Sequence, residues 1–233
     1  MTRRTAIVTP LALAAAAPGL ADLLSSKEPL TWVFTGDSIT HGAAHTYGGR
    51  SYSEHFAERL RWEMRRSRDI VINTGISGDR LPRMLADIDW RVLRFEPKVV
   101  SLMFGMNDCL AGPAGRETFA NALVTCWEKL KAKGIRVVLH TPNLIHYPAD
   151  PARQDLLAYV DLIRKFANDK PVMLVDHYEH WMKSRKSAYE LLMLLADGAI
   201  HPNQFGHIEL ARETFRRLGI DDPQSRTGRL FVP

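Results

Sequence analysis

Residues 30–42 read LTWVFTGDSITHG, an apolar run followed at once by Gly36-Asp37-Ser38. Short continuous apolar runs suit strands covered on both faces, and such strands belong to parallel sheets with helices above and below. Four further runs have this form, at Ile70–Asn73, Val99–Phe104, Arg136–His140 and Val172–Val175. Between them lie SEHFAERLRWEMRRS, LPRMLADIDWRVLRF, ETFANALVTCWEKLKAKG and DLLAYVDLIRKFAND. Their apolar residues recur every three or four positions, the mark of amphipathic helices. Alternating strand and helix requires crossover connections, and these favour right-handed βαβ units. The predicted fold class is therefore α/β, a three-layer α/β/α sandwich of about five parallel strands. Pro97 and Gly134 punctuate two of the helix-to-strand turns.

A chain of 233 residues is long enough for one well-buried domain and short for two. Its hydrophobic share of 45% and charged share of 24% exclude a disordered or fibrous protein. The formal charge is +5, but the basic residues of RLRWEMRRSRD, RFEPK and KLKAKGIR are mostly interleaved with acids. That is the pattern of a solvated helix face, so no nucleic-acid partner is expected. Two cysteines, Cys109 and Cys126, show no zinc spacing, and neither a metal nor any other cofactor is expected. A disulfide between them would require export.

The N-terminus bears on export. Arg3-Arg4, then AIVTPLALAAAA, then Pro-Gly-Leu-Ala has the order of a secretory signal, with a cut site after Ala21 and a twin-arginine hint. Residues 1–27 are read as a signal peptide or N-terminal extension, 28–220 as the domain, and 221–233 as a tail that lies over the surface or frays. The expected location is secreted or periplasmic, or cytoplasmic if the leader is retained. No run is long enough to remain as a bilayer-spanning helix, so stable membrane insertion is not expected.

In an open parallel sheet, ligands bind outside the carboxyl ends of the strands. There the first loop brings Ser38, the second, NTGISGDR, brings Gly78, and the third, FGMNDC, brings Asn107. Late in the chain, DGAIHPNQFGH adds Asp197 and His201 before a closing helix. A serine hydroxyl needs a base, histidine is the usual one, and a carboxylate fixes its tautomer. Ser38, His201 and Asp197 form a candidate triad. The N–H groups of Ser38 and Gly78 and the amide of Asn107 are candidate donors to a tetrahedral oxyanion. Asp37 and Asp108 are read as turn supports. His41, His45, His140 and His146 are read as loop histidines near strand ends. Trp32, Trp62, Trp90, Trp127 and Trp181 are expected to pack core or helix faces.

Four blocks carry a resemblance to the SGNH hydrolases, the GDSL family of lipases and esterases. They are Gly36-Asp37-Ser38-Ile39-Thr40, Asn73 to Asp79, Gly105-Met106-Asn107-Asp108, and Asp197 with His201-Pro202-Asn203, within Leu30 to Leu218. The resemblance implies a flavodoxin-like sandwich, Ser38 as nucleophile, Gly78 and Asn107 in the oxyanion hole, and His201 as base. In that family the acid stands three residues before the histidine, whereas Asp197 stands four before His201. Asp176, after the fifth apolar run, is the alternative partner, though such an aspartate more often caps a helix. The expected function is a serine esterase that hydrolyses short acyl esters, including O-acetyl carbohydrate, through an acyl-enzyme. A lipase, lysophospholipase or thioesterase of the same family is the alternative. A non-catalytic flavodoxin-like module, binding flavin or phosphate at TGDSIT, is the rival of another class and leaves Asn107 and His201 unexplained.

Overall fold

The structure, a computed structural model, describes residues 20–233. The leader read across residues 1–27 falls outside the described residues up to position 19, and Leu20–Ser25 forms a short helix.

The five apolar runs form five parallel strands, each within one residue of its expected bounds: β1 Thr31–Gly36, β2 Ile70–Asn73, β3 Val99–Met103, β4 Arg136–His140 and β5 Met173–Val175. Their order is β2-β1-β3-β4-β5. The chain steps from β1 outward to β2, then crosses back to β3, so the direction of winding reverses at the boundary of β1 and β3. Such a switch point opens a crevice at the carboxyl ends of those two strands. The register pairs Thr35 with Leu102 and Gly36 with Met103, so both strands end level.

Helices Tyr52–Glu58, His177–Ser184 and Gln204–Leu218 cover one face. Leu81–Ala86, Arg116–Ala132 and Leu156–Asp169 cover the other, completing the α/β/α sandwich. On the first face, Trp32 and Phe34 of β1 meet Phe56 at ring-centroid distances of 4.9 and 5.0 Å. Burying a side chain of that kind contributes about 3 kcal/mol. Trp181 is buried too, but Trp62 and Trp90 are 72% and 65% exposed, against the expectation that they pack. The Arg94 guanidinium lies over the Trp90 ring, 3.9 Å from its centroid.

The helical pattern over residues 81–95 is broken into Leu81–Ala86, Ile88–Arg91 and a 3-10 turn at Leu93–Phe95. The breaks flank Arg91, which turns inward and pairs with buried Asp79. The tail lies over the surface, and its first half does not fray. Thr227 donates from its N–H and its hydroxyl to Glu63 Oε1 at 2.8 and 2.6 Å, and the Gly228 carbonyl accepts from Arg212. Cys109 and Cys126 are free and buried, and burial pushes both thiols up to about 12. Among the described residues, no helix is long and apolar enough to cross a membrane.

Candidate active site

Ser38 opens the one-turn helix Ser38–His41 at the end of β1. Gly36, two residues earlier, lets β1 run close against β3. A Cβ there would lie 2.2 Å from Thr40 Oγ1 and 2.5 Å from the Met103 carbonyl oxygen. Asp37 caps the turn as expected, its Oδ1 accepting from Ile39 N–H at 2.9 Å. Burial raises the Asp37 carboxyl to about 7, although the Ile39 bond opposes the shift.

His201 Nε2 lies 2.9 Å from Ser38 Oγ, and His201 Nδ1 lies 2.5 Å from Asp197 Oδ2. A carboxylate only accepts, so Nδ1 carries the proton and Nε2 is left to accept from the serine hydroxyl. The four-residue spacing is absorbed within the loop. Asp197 Oδ1 accepts from the N–H groups of Ala199, Ile200 and His201 at 2.9, 2.9 and 3.1 Å, while Oδ2 faces the imidazole. Gly198, at φ 68°, makes the turn that this self-capping needs. Partial burial resists ionisation of Asp197. The bond from His201 and those three N–H groups outweigh it and hold the carboxyl well below the usual range. The loop is clipped by a bridge between Leu195 and Pro202, and Asn203 caps the closing helix by accepting from Phe205 and Gly206 N–H.

Asp176 is far from this chemistry in its bonding. Its carboxylate accepts from Glu179 N–H and Thr141 Oγ1 and pairs with Arg164, so it is a helix cap.

The loops after β1, β2 and β3 are joined side by side. Ile76 N–H donates to the Gly36 carbonyl at 3.0 Å, and Asn107 Nδ2 donates to the Asp79 carbonyl at 3.1 Å. Gly78 has φ 78°, a conformation that favours glycine, and no hydrogen bond among the described residues uses its N–H or that of Ser38. Beneath these loops Asp79 pairs with Arg91, whose Nη2 reaches the Thr74 carbonyl at 2.9 Å. Asp108 accepts from Leu81 and Gly105 N–H, both at 2.9 Å, and burial raises its carboxyl to about 6 against those bonds.

The histidines divide. His45 stacks on His201 with centroids 3.7 Å apart and planes 8° from parallel. Partial burial and the neighbouring His201 lower its pKa. Tyr47, in the same loop, donates to the Ala196 carbonyl at 2.8 Å. His41 lies 3.0 Å from Ser77 Oγ, and His146 donates from Nδ1 to the Gly198 carbonyl at 3.2 Å. His140 is not a loop residue. It ends β4 fully buried, 2.8 Å from Ser101 Oγ and 3.0 Å from His177.

The functional neighbourhood also includes Arg91 and Arg153, which sequence reasoning missed. Each is a lone arginine in a helical or loop stretch, with no local signal of what it meets. A cavity of about 620 Å³ lined by Arg59, Arg61, Trp62, Arg65 and Arg226 contains none of Ser38, Gly78, Asn107, Asp197 or His201. Among the described residues no group of three or more His, Cys, Asp or Glu is arranged to hold a metal.

The model of the GDSL-like Lipase/Acylhydrolase family matches residues 34–207. An acetylxylan esterase of Geobacillus stearothermophilus is 28% identical over 215 residues, covering 83% of this chain and 96% of that protein. An uncharacterized lipoprotein of Bacillus subtilis (strain 168) is 26% identical over 192 residues, covering 72% and 79%. A solved variant of an acetyl-xylooligosaccharide esterase from Geobacillus superposes with a TM-score of 0.71 at 25% identity, covering 86% of this chain and 100% of that one.

Proposed function

The chain belongs to the GDSL-like lipase/acylhydrolase family and is a serine ester hydrolase; on that premise we propose that it removes short acyl groups, acetyl groups on carbohydrate in particular, through an acyl-enzyme on Ser38. The observation that carries this reading is the continuous relay from Ser38 Oγ to His201 Nε2 at 2.9 Å and from His201 Nδ1 to Asp197 Oδ2 at 2.5 Å. Ser38 Oγ attacks the ester carbonyl as His201 Nε2 takes its proton, and Asp197 stabilises the imidazolium that forms. The oxyanion is held by the N–H groups of Ser38 and Gly78 and the amide of Asn107, each such donor contributing about 3 kcal/mol to the transition state. Collapse breaks the ester C–O bond, and His201 returns the proton to the departing alcohol. Water, deprotonated by the same imidazole, then attacks the acyl-enzyme and releases the carboxylic acid and free Ser38.

Support for the acetyl preference comes from the similarity to an acetylxylan esterase along most of both chains. Export is the accompanying proposal, supported by the Arg3-Arg4 leader pattern and by a relative described as a lipoprotein.

A fluorophosphonate probe followed by mass mapping tests the nucleophile, with p-nitrophenyl esters of increasing chain length as substrates. Labelling is expected at Ser38 and is lost in Ser38→Ala, and hydrolysis is expected to be fastest for the acetyl ester. Labelling that survives Ser38→Ala sinks the mechanism, and a maximum at long acyl chains sinks the acetyl preference.

A further inference from the structure

We infer that Arg153 is a positioning residue of the oxyanion hole, acting through Asn107; the inference rests on the proposed role of Asn107 and goes beyond it. The Asn107 side chain is gripped at both ends. Its Oδ1 accepts from Arg153 Nη2 at 3.1 Å, and its Nδ2 donates to the Asp79 carbonyl at 3.1 Å. Exchanging oxygen and nitrogen would set donor against donor at the guanidinium and acceptor against acceptor at Asp79. One amide orientation therefore survives. Because a primary amide is planar, fixing Oδ1 and one Nδ2–H leaves the second Nδ2–H a single direction. That second proton is the one available to a developing oxyanion.

The guanidinium is itself held rigidly. Arg153 Nε donates to the Met106 carbonyl at 3.0 Å, and Nη1 pairs with the Asp150 carboxylate. The Arg153 and Asp150 side chains are only 12% and 16% exposed, so the group grips both the backbone of residue 106 and the side chain of residue 107 from a largely dry position. A cation at the carbonyl end of an amide draws electron density through the group and makes its N–H a stronger donor, an effect enlarged by low local dielectric. Arg153 thus orients the amide and polarises it, without a bond to Ser38 or His201. A lysine, as a point charge, would keep the polarisation and lose the fork that engages both acceptors.

The test is a double-mutant cycle with p-nitrophenyl acetate on Arg153→Met, Asn107→Ala and the combined variant, with thermal unfolding of each and Arg153→Lys as the conservative replacement. Arg153→Met is expected to lower kcat about ten-fold while KM stays within about two-fold, the signature of an interaction made in the transition state. Asn107→Ala is expected to lower kcat by about 10²–10³. In the Asn107→Ala background, Arg153→Met should change kcat by less than about two-fold, because its route of action is gone. Arg153→Lys should recover part of the loss, and it carries the comparison if Arg153→Met does not fold. An equal loss in both backgrounds, a change confined to KM, or a loss that tracks the unfolded fraction overturns the inference while Asn107 keeps its role. Full kcat in Asn107→Ala removes the oxyanion reading of Asn107 and this inference with it.

Discussion

The two sides of the site are built by opposite means. On the base side, Asp197 and His201 stand in one loop, and Asp197 satisfies its acceptors with residues no more than four positions away. On the side proposed to hold the oxyanion, Gly78 and Asn107 come from separate loops that meet buried charged groups from elsewhere: Arg91 on Asp79 and Arg153 on Asn107. A local loop can be damaged without unfolding the protein. A shelf propped by buried charges fails together with its foundation.

The largest expected effect breaks the base side alone. Asp197→Asn removes the charge that fixes the tautomer, and kcat on p-nitrophenyl acetate should fall by about 10⁴-fold. An amide oxygen can still accept from Ala199, Ile200 and His201 N–H, so thermal unfolding should hardly move. A large drop in Tm would mean that this corner is not self-contained. Asp79→Ala is the counterpart on the other side. It leaves the Arg91 guanidinium, 4% exposed, without its partner, at a cost of about 3–5 kcal/mol. Tm should fall by about 10 °C or more, with activity lost in parallel. An unchanged Tm in calorimetry would show that the shelf needs no such prop.

Acid should act on the two sides with opposite sign. His207 and His140, lowered to about 3 chiefly by burial, His55, lowered to about 4, and His177, held well below the usual imidazole range by burial and the neighbouring His140, lie on the helices and the strand end packed around the base side. Below about pH 6.5 the unfolded chain takes up protons on these histidines that the folded chain refuses, so stability is present above that pH and is lost on acidification. Asp37 and Asp108, raised to about 7 and about 6, do the reverse: their stabilisation is present below about pH 4 and is lost as pH rises through 6 to 7. Four histidines outnumber two carboxyls, and the lowered carboxyls of Glu63 and Glu209, at about 2, add to the loss toward pH 4, so the net effect of acid between pH 6 and 4 is destabilising. Urea midpoints should therefore fall steeply from pH 7 to pH 5, and a flat profile would refute the sign. The smallest effect concerns His45, whose ring stacks on His201 at 3.7 Å. Losing that contact in His45→Ala should cost about 1 kcal/mol, or about five-fold in kcat/KM, with His45→Phe restoring most of it.

This division also explains what could be read in advance. The strands are legible as apolar runs, and the Ser38, Gly78 and Asn107 loops as the turns that follow three of them, whereas the His201 loop is marked only by the helical pattern after it. The spacing in DGAIH was legible as a departure, but the pattern alone did not contain its remedy, a glycine at φ 68° and a carboxylate that bonds in two directions. Arg153 and Arg91 are silent in the sequence because the contacts that bring them to the site, with Asn107 and Asp79, span 46 and 12 positions, and a single arginine has the same local pattern whether it meets water or a buried polar group. The exposed Trp62 and Trp90 show the converse, since large apolar side chains are not obliged to be inside.

The clip that joins Leu195 to Pro202, reinforced by Ala196 N–H on the His201 carbonyl and Asn203 N–H on the Leu194 carbonyl, closes the acid–base loop on itself. The bonds that join acid to base lie within ten residues, Leu194 to Asn203, while Tyr47, His146 and Asn143 tie that loop to the rest of the protein through the Ala196, Gly198 and Ile200 carbonyls. The segment before it, through the Ala188–Leu192 helix, contributes no bond between acid and base, so a change in its length is expected to leave the pair together. The loop is in that sense a transferable cassette, and insertions that reshape the rim of the site have a natural place to enter.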